Sequence, residues 1–163
     1  MKTILFVCTG NVCRSPMAEA LMDDLSDDYP SIKGRVCAAS AGTMACEDAR
    51  ISAHAEEALS RLGIDFSRHR SRQLTSEIAK EADLILTMEA HHLDELEAIC
   101  PEAYEKAHTL KGYAMGVEGF PGDCEYDIQD PFRKPLEVYI EAAEQIKACI
   151  IKLLERLEKS LQN

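Results

Sequence analysis

The sequence predicts one α/β domain over residues 1–163, built on a four-stranded parallel sheet with helices on both faces. Three observations carry that prediction. Short, nearly continuous apolar runs, Ile4-Leu5-Phe6-Val7 and Leu84-Ile85-Leu86-Thr87-Met88, read as strands buried on both sides. Helical apolar periodicity lies between and after them, clearest in Val138, Ala142, Ile146, Cys149, Ile150, Leu153 and Leu157. A chain of 163 residues, 46% hydrophobic, supplies one core and not a second. Strands alternating with helices require crossover connections and therefore a parallel sheet.

Taken in order, Thr3 to Val7 is the first strand, and Cys8 to Arg14 breaks its pattern. Ser15-Pro16 then reads as a helix start, with serine as N-cap and proline at the first helical position; Met17, Leu21 and Leu25 recur four apart behind it. Arg35 to Ser40 is a second strand, left through the small residues Ser40-Ala41-Gly42-Thr43. Ala55, Ala58, Leu59 and Leu62 mark one face of a helix that Gly63 stops. Leu84 to Met88 is the third strand, and a helix through Leu93, Leu96 and Ile99 follows it to Pro101. Ala107 to Leu110 is a weaker fourth strand. Gly112, Gly116, Gly119, Pro121 and Gly122 announce a long irregular segment before the last helix.

Eighteen Lys and Arg against 29 Asp and Glu leave a formal charge of −11. That excludes a general nucleic-acid binder, which needs a basic footprint, and makes any anion site a local exception. The apolar run Ile4 to Cys8 falls far short of the roughly 20 residues of a membrane helix, and no signal peptide is legible, so no membrane partner is expected. Seven cysteines at irregular spacing do not make a disulfide framework. A monomer in the reducing cytoplasm is the expected setting, where a cysteine is either a buried hydrophobe or a reactive thiolate.

The chemistry points to one loop. In parallel α/β sheets ligands bind beyond the carboxyl ends of the strands, and Cys8 sits at such an end. Cys8-Thr9-Gly10-Asn11-Val12-Cys13-Arg14 runs into a helix N-terminus, whose free N–H groups and dipole favour an anion. Gly10 permits a tight turn, and Arg14 offers a planar fork matched to two phosphoryl oxygens. A cysteine in that field is shifted toward the nucleophilic thiolate. Most of any rate enhancement must still come from binding the transferring phosphoryl group in line with the sulfur. Zinc is disfavoured, because no second Cys or His pair appears and Arg14 would oppose a cation. No cofactor is expected. His91-His92 reads as a solvated helix face, and the five cysteines other than Cys8 and Cys13 are assigned to packing.

Val7-Cys8-Thr9-Gly10-Asn11-Val12-Cys13-Arg14-Ser15-Pro16 resembles the signature loop of the low-molecular-weight protein-tyrosine phosphatases. The resemblance continues through Ser40-Ala41-Gly42, Arg72-Gln73-Leu74, Asp83-Leu84-Ile85-Leu86-Thr87-Met88 and Asp130-Pro131-Phe132. It implies a four-stranded fold and a cysteinyl-phosphate mechanism on a phosphorylated protein, with Cys8 as nucleophile and Arg14 as phosphate clamp. Asp130 would be the general acid and base; from composition alone Asp130-Pro131 is an ordinary turn, and Asp127 is a competitor. The resemblance also implies that Ser15 hydrogen-bonds the Cys8 sulfur, that Asn11 ties the loop to Ser40, and that Cys13 can form a reversible disulfide with Cys8 under peroxide.

The leaving group is less determined. The superfamily holds tyrosine phosphatases, typically with isoleucine at the place of Val12, and bacterial arginine phosphatases with threonine there. Val12 has threonine's shape and isoleucine's polarity. Phe132 departs from the paired tyrosines of eukaryotic tyrosine enzymes, while Thr109 to Tyr113 and Asp127 to Phe132 look closer to the arginine branch. An apolar Val12 offers no hydrogen bond to a guanidinium, so phosphotyrosine is the expected substrate and phosphoarginine the alternative. Arsenate reductases share the loop but relay oxidation through two further cysteines after the third strand; Glu89 to Ile99 contains none. A phosphocysteine carrier would not need Asp130.

Overall fold

A computed structural model describes residues 1–117 and 124–163. Gly119, Pro121 and Gly122 of the expected irregular segment lie outside the described residues. Four strands, β1 (Lys2–Cys8), β2 (Val36–Gly42), β3 (Leu84–Thr87) and β4 (Ala107–Thr109), form one parallel sheet in the order β2-β1-β3-β4. β1 is central, paired on both sides, which accounts for its continuous apolar run. Its side chains alternate. Ile4, Phe6 and Cys8 face the core shared with α1 (Arg14–Ser26), α2 (Ala53–Ser60) and α6 (Leu136–Gln162), while Leu5 and Val7 face Ala79 of α3 (Ser76–Glu81) and Leu96 of α4 (Ala90–Ile99). Helices therefore cover both faces, and the carboxyl end of β1 opens between them.

Local chemistry sets the helix ends. Ser52, Thr75 and Thr109 cap α2, α3 and α5 (Leu110–Ala114) by accepting from the N–H three residues on. α1 departs from expectation: it begins at Arg14 with Cys13 at its N-cap, and no side chain caps it. Ser15 is thus not the cap, because its hydroxyl is spent on the Cys8 sulfur. Pro16 falls third rather than first, still within the turn whose N–H groups lack intrahelical partners. Leu62 lies beyond α2 in the turn that Gly63 closes at φ +79°, so it leaves the apolar face. Part of the expected irregular stretch is helical, since Gly112 lies within α5.

Candidate active site

The loop between β1 and α1 curls over the carboxyl edge of the sheet. Thr9 and Cys8 accept main-chain hydrogen bonds from Met44 and Thr43, so the segment leaving β2 backs the loop. Gly42 is required there: a Cβ would stand 2.4 Å from the Thr9 carbonyl oxygen and 3.0 Å from the Asn11 nitrogen. Asn11 adopts φ +55°, a left-handed conformation that asparagine tolerates. Among the described residues, none of the N–H groups of residues 10 to 15 donates a hydrogen bond within the protein. Six such donors on a turn at a helix N-terminus form a cradle for an anion.

Behind the cradle a buried polar network fixes the sulfur. The Asn11 side-chain amide donates to Ser15 Oγ at 2.8 Å and to Ser40 Oγ at 2.9 Å, and its Oδ1 accepts from the Arg72 N–H at 3.0 Å. Because Asn11 already donates to Ser15, the serine's own proton is free for Cys8 Sγ, 3.0 Å away. The Ser40 hydroxyl donates to Glu19 Oε2. Burial raises the Glu19 pKa, with Ser40 opposing that shift. The Asn11 carbonyl accepts from His69 Nε2 at 2.8 Å. All of Asn11, Ser15 and Ser40 are buried.

Arg14 closes the other end of the loop and is 1% exposed. Its NH1 donates to the Ile128 carbonyl and pairs with Glu89 Oε2, both at 2.7 Å, which leaves the edge bearing NH2 to face the cavity. NH2 lies 3.6 Å from Asp130 Oδ2. Burial works against the Glu89 charge, but the Arg14 guanidinium outweighs it and holds that carboxyl below its ordinary pKa. Asp130 sits half-exposed at the rim, its Oδ1 accepting from the Phe132 N–H. Asp127 is not among the residues lining the cavity, and its carboxylate accepts from the Ala90 N–H at the start of α4 at 2.7 Å.

These parts enclose a cavity of about 210 Å³ lined by Cys8, Thr9, Gly10, Val12, Cys13, Arg14, Asp130 and Phe132. Every residue expected at the site is thereby brought together, Ser40, Asn11 and Ser15 forming its support. Phe132 is 56% exposed at the mouth. Cys13 Sγ lies within hydrogen-bond reach of Ser52 Oγ at 3.4 Å and of the Tyr139 hydroxyl at 3.7 Å, and burial raises its pKa; burial and Cys13 together push the Tyr139 phenol up to about 12.

Glu89 and His92 are the residues that sequence reading missed. His92 is fully buried, not on a solvated face, and its Nε2 lies 2.9 Å from Thr9 Oγ1. Glu89, His91 and His92 place ligand atoms within 4.8 Å of one another. Both nitrogens of His92 are already hydrogen-bonded and Arg14 occupies Glu89, so the group does not suit a cation. Cys46 and Cys124 are exposed and Cys37 half-buried, which leaves packing to Cys100 and Cys149. No helix among the described residues is long and apolar enough to cross a membrane.

A family model described as "Low molecular weight phosphotyrosine protein phosphatase" matches residues 3–163. A protein-arginine-phosphatase of Geobacillus stearothermophilus is 40% identical over 155 residues, 95% of each chain. The solved low molecular weight protein tyrosine phosphatase of T. tengcongensis is also 40% identical, with a TM-score of 0.84 over 96% of this chain and 99% of its own. A solved mutant of the YwlE arginine phosphatase, its active-site serine phosphorylated, superposes with a TM-score of 0.85 at 34% identity over 96% of each chain.

Proposed function

The chain belongs to the low molecular weight phosphotyrosine protein phosphatase family, and from that premise we propose that it hydrolyses phosphotyrosine in proteins through a phosphocysteine on Cys8. The observation that carries the proposal is the shared cavity: Cys8 on a loop whose six N–H groups, residues 10 to 15, have no acceptor among the described residues, lined together with Arg14 and Asp130.

In the first step the Cys8 sulfur attacks phosphorus, the bond to the tyrosyl oxygen breaks, and Asp130 gives that oxygen its proton. The loop N–H groups and the NH2 edge of Arg14 hold the three equatorial oxygens while charge redistributes. In the second step Asp130 takes a proton from water, the oxygen attacks phosphorus, and the sulfur leaves as thiolate. The Ser15 hydroxyl, 3.0 Å from the sulfur, stabilises that leaving charge in both directions. The phosphorylated active-site serine of the mutant relative supports an enzyme-bound phosphoryl group in this family.

The cavity wall supports phosphotyrosine. Val12, the Cys13 side and the exposed Phe132 ring make it apolar, suited to an aryl group. Phosphoarginine is a second reading, because an arginine phosphatase and a tyrosine phosphatase are equally, 40%, identical to this chain. A side-by-side measurement of kcat/KM on phosphotyrosine and phosphoarginine peptides, repeated with Val12→Thr, decides between them: a tyrosine preference that Val12→Thr weakens is expected. Wild-type preference for phosphoarginine overturns the substrate, and hydrolysis surviving in Cys8→Ser overturns the mechanism. The peroxide relay is tested by thiol rescue after oxidation, which Cys13→Ser should impair.

A further inference from the structure

The first turn of α4 meets both ends of the phosphate-binding loop. Glu89, at its N-cap, holds Arg14 NH1 at 2.7 Å. His92, one turn on, reaches Thr9, the residue next to Cys8, at 2.9 Å. The two are locked together: the Glu89 N–H donates to His92 Nδ1 at 3.1 Å while the Glu89 side chain accepts from the His92 N–H, a reciprocal capping box. Thr87 Oγ1 donates to the Glu89 carbonyl at 2.9 Å, fastening the turn to the end of β3. The same turn receives the Asp127 carboxylate on the Ala90 N–H, three residues before Asp130.

The capping box fixes the tautomer of His92. Since Nδ1 accepts, Nε2 carries the proton and donates to Thr9 Oγ1. The ring is 0% exposed and has no alternative partner in water. On its other side Thr9 is pinned by the Met44 N–H at its carbonyl. The residue following the nucleophile is therefore held through its side chain by α4 and through its main chain by the segment after β2.

We infer that His92 is a positioning residue for the hydrolysis, acting through Thr9 to set where the Cys8 sulfur stands relative to the Arg14 fork held by Glu89. The inference rests on the phosphatase reading. It predicts a particular kinetic signature: the N–H cradle survives loss of His92, so ground-state binding of phosphate changes little, but in-line alignment does not survive.

The test uses the full chain with an aryl phosphate as substrate and inorganic phosphate as competitive ligand. His92→Leu, close in volume and apolar, should lower kcat about tenfold or more while KM and the phosphate inhibition constant stay within about threefold. Thr9→Val removes the acceptor without changing shape and should give the same loss, and the double variant should be no worse than either single one. His92→Gln, whose amide can donate to Thr9, should recover at least a third of kcat. A purely structural histidine would lower thermal stability and leave kcat below the unfolding range unchanged. A folded His92→Leu with wild-type kcat, additive losses in the double variant, or no rescue by glutamine overturns the inference. If His92→Leu does not fold, wild-type kcat in Thr9→Val overturns it alone. Cys8→Ser separates the two levels: hydrolysis surviving there defeats the phosphatase reading, whereas a dead Cys8→Ser beside failing His92 and Thr9 variants defeats only this inference.

Discussion

Replacing Asn11 by alanine removes the residue on which the loop's internal order converges. Its side chain makes three hydrogen bonds, to Ser15, Ser40 and the Arg72 N–H, in a site with 0% exposure. Ser15 and Ser40 keep their other partners, Cys8 and Glu19, so each lost bond there costs about 1 kcal/mol. The Arg72 N–H is left without an acceptor, which costs about 1 to 3 kcal/mol. Alanine at φ +55° adds about 1 kcal/mol. The total of about 4 to 6 kcal/mol is a large share of the roughly 5 to 15 kcal/mol that holds a domain together. Urea unfolding at pH 7 measures it directly. Asn11→Asp sharpens the reasoning, because it keeps an acceptor for Arg72 and a side chain that tolerates positive φ. It replaces the amide donor by an oxygen that draws the Ser15 proton away from Cys8. It should lose at least as much kcat on an aryl phosphate as Asn11→Ala. A loss below about 1.5 kcal/mol in Asn11→Ala, or wild-type kcat in Asn11→Asp, would refute this account of the loop.

Two further outcomes follow from the geometry. Gly42→Ala puts a methyl against two main-chain atoms of the loop, at 2.4 and 3.0 Å; kcat/KM should fall at least about tenfold while the rest of the sheet persists by circular dichroism, and unchanged kinetics would show that the loop is not seated as described. His92 supplies a pH dependence: burial first, then Arg14, lowers its pKa from 6.5 to about 3. The unfolded chain therefore takes up a proton that the folded one refuses, and stability complete above about pH 6.5 falls as pH drops toward 3, by up to about 1.4 kcal/mol per unit. Burial lowers His69 and His108 as well, which adds slopes of the same sign. Urea unfolding at pH 7 and pH 5 should show a smaller difference in His92→Leu than in wild type, and equal differences would contradict the burial of a neutral ring.

What was legible in the chain follows the range of the forces involved. β1 and the loop after it are written in consecutive residues, because burial on both faces and an anion cradle are satisfied locally by Ile4 to Val7 and Cys8 to Arg14. α3 has six residues, too few to display a helical period, and escaped reading. Ser15 looked like a cap because serine before a run of helix formers usually is one; a sulfur brought 3.0 Å away by the fold took its hydroxyl instead. Nothing in His91-His92 reveals that one ring is half-exposed beside Glu95 and the other sealed against Thr9, since that depends on how α4 meets the loop beyond the carboxyl end of β1. Nothing in consecutive residues tells Asp130 from Asp127, because it is the fold that places Asp130 on the cavity and Asp127 on the Ala90 N–H.

The charge of the chain constrains how the site attracts its ligand. Arg14 is the cation of the loop, and Glu89 at 2.7 Å already neutralises it. In the proposed reaction a phosphoryl group entering the cavity therefore gains little from net charge and is held by the unpartnered N–H groups of residues 10 to 15 and the positive end of α1, which carries about half an elementary charge. Those dipoles act at contact distance, while the −11 of the whole chain acts from farther out and repels an anionic phosphopeptide. Salt shortens the reach of that repulsion to about 8 Å at physiological ionic strength and to about 3 Å at 1 M, without weakening contacts inside the pocket to the same degree. Raising ionic strength with a weakly binding salt should thus leave kcat unchanged and hold or raise kcat/KM for an acidic phosphopeptide. A steep fall in kcat/KM would mean that long-range attraction brings the substrate in, with Arg133, 5.3 Å from the Phe132 ring at the mouth, as the cation supplying it.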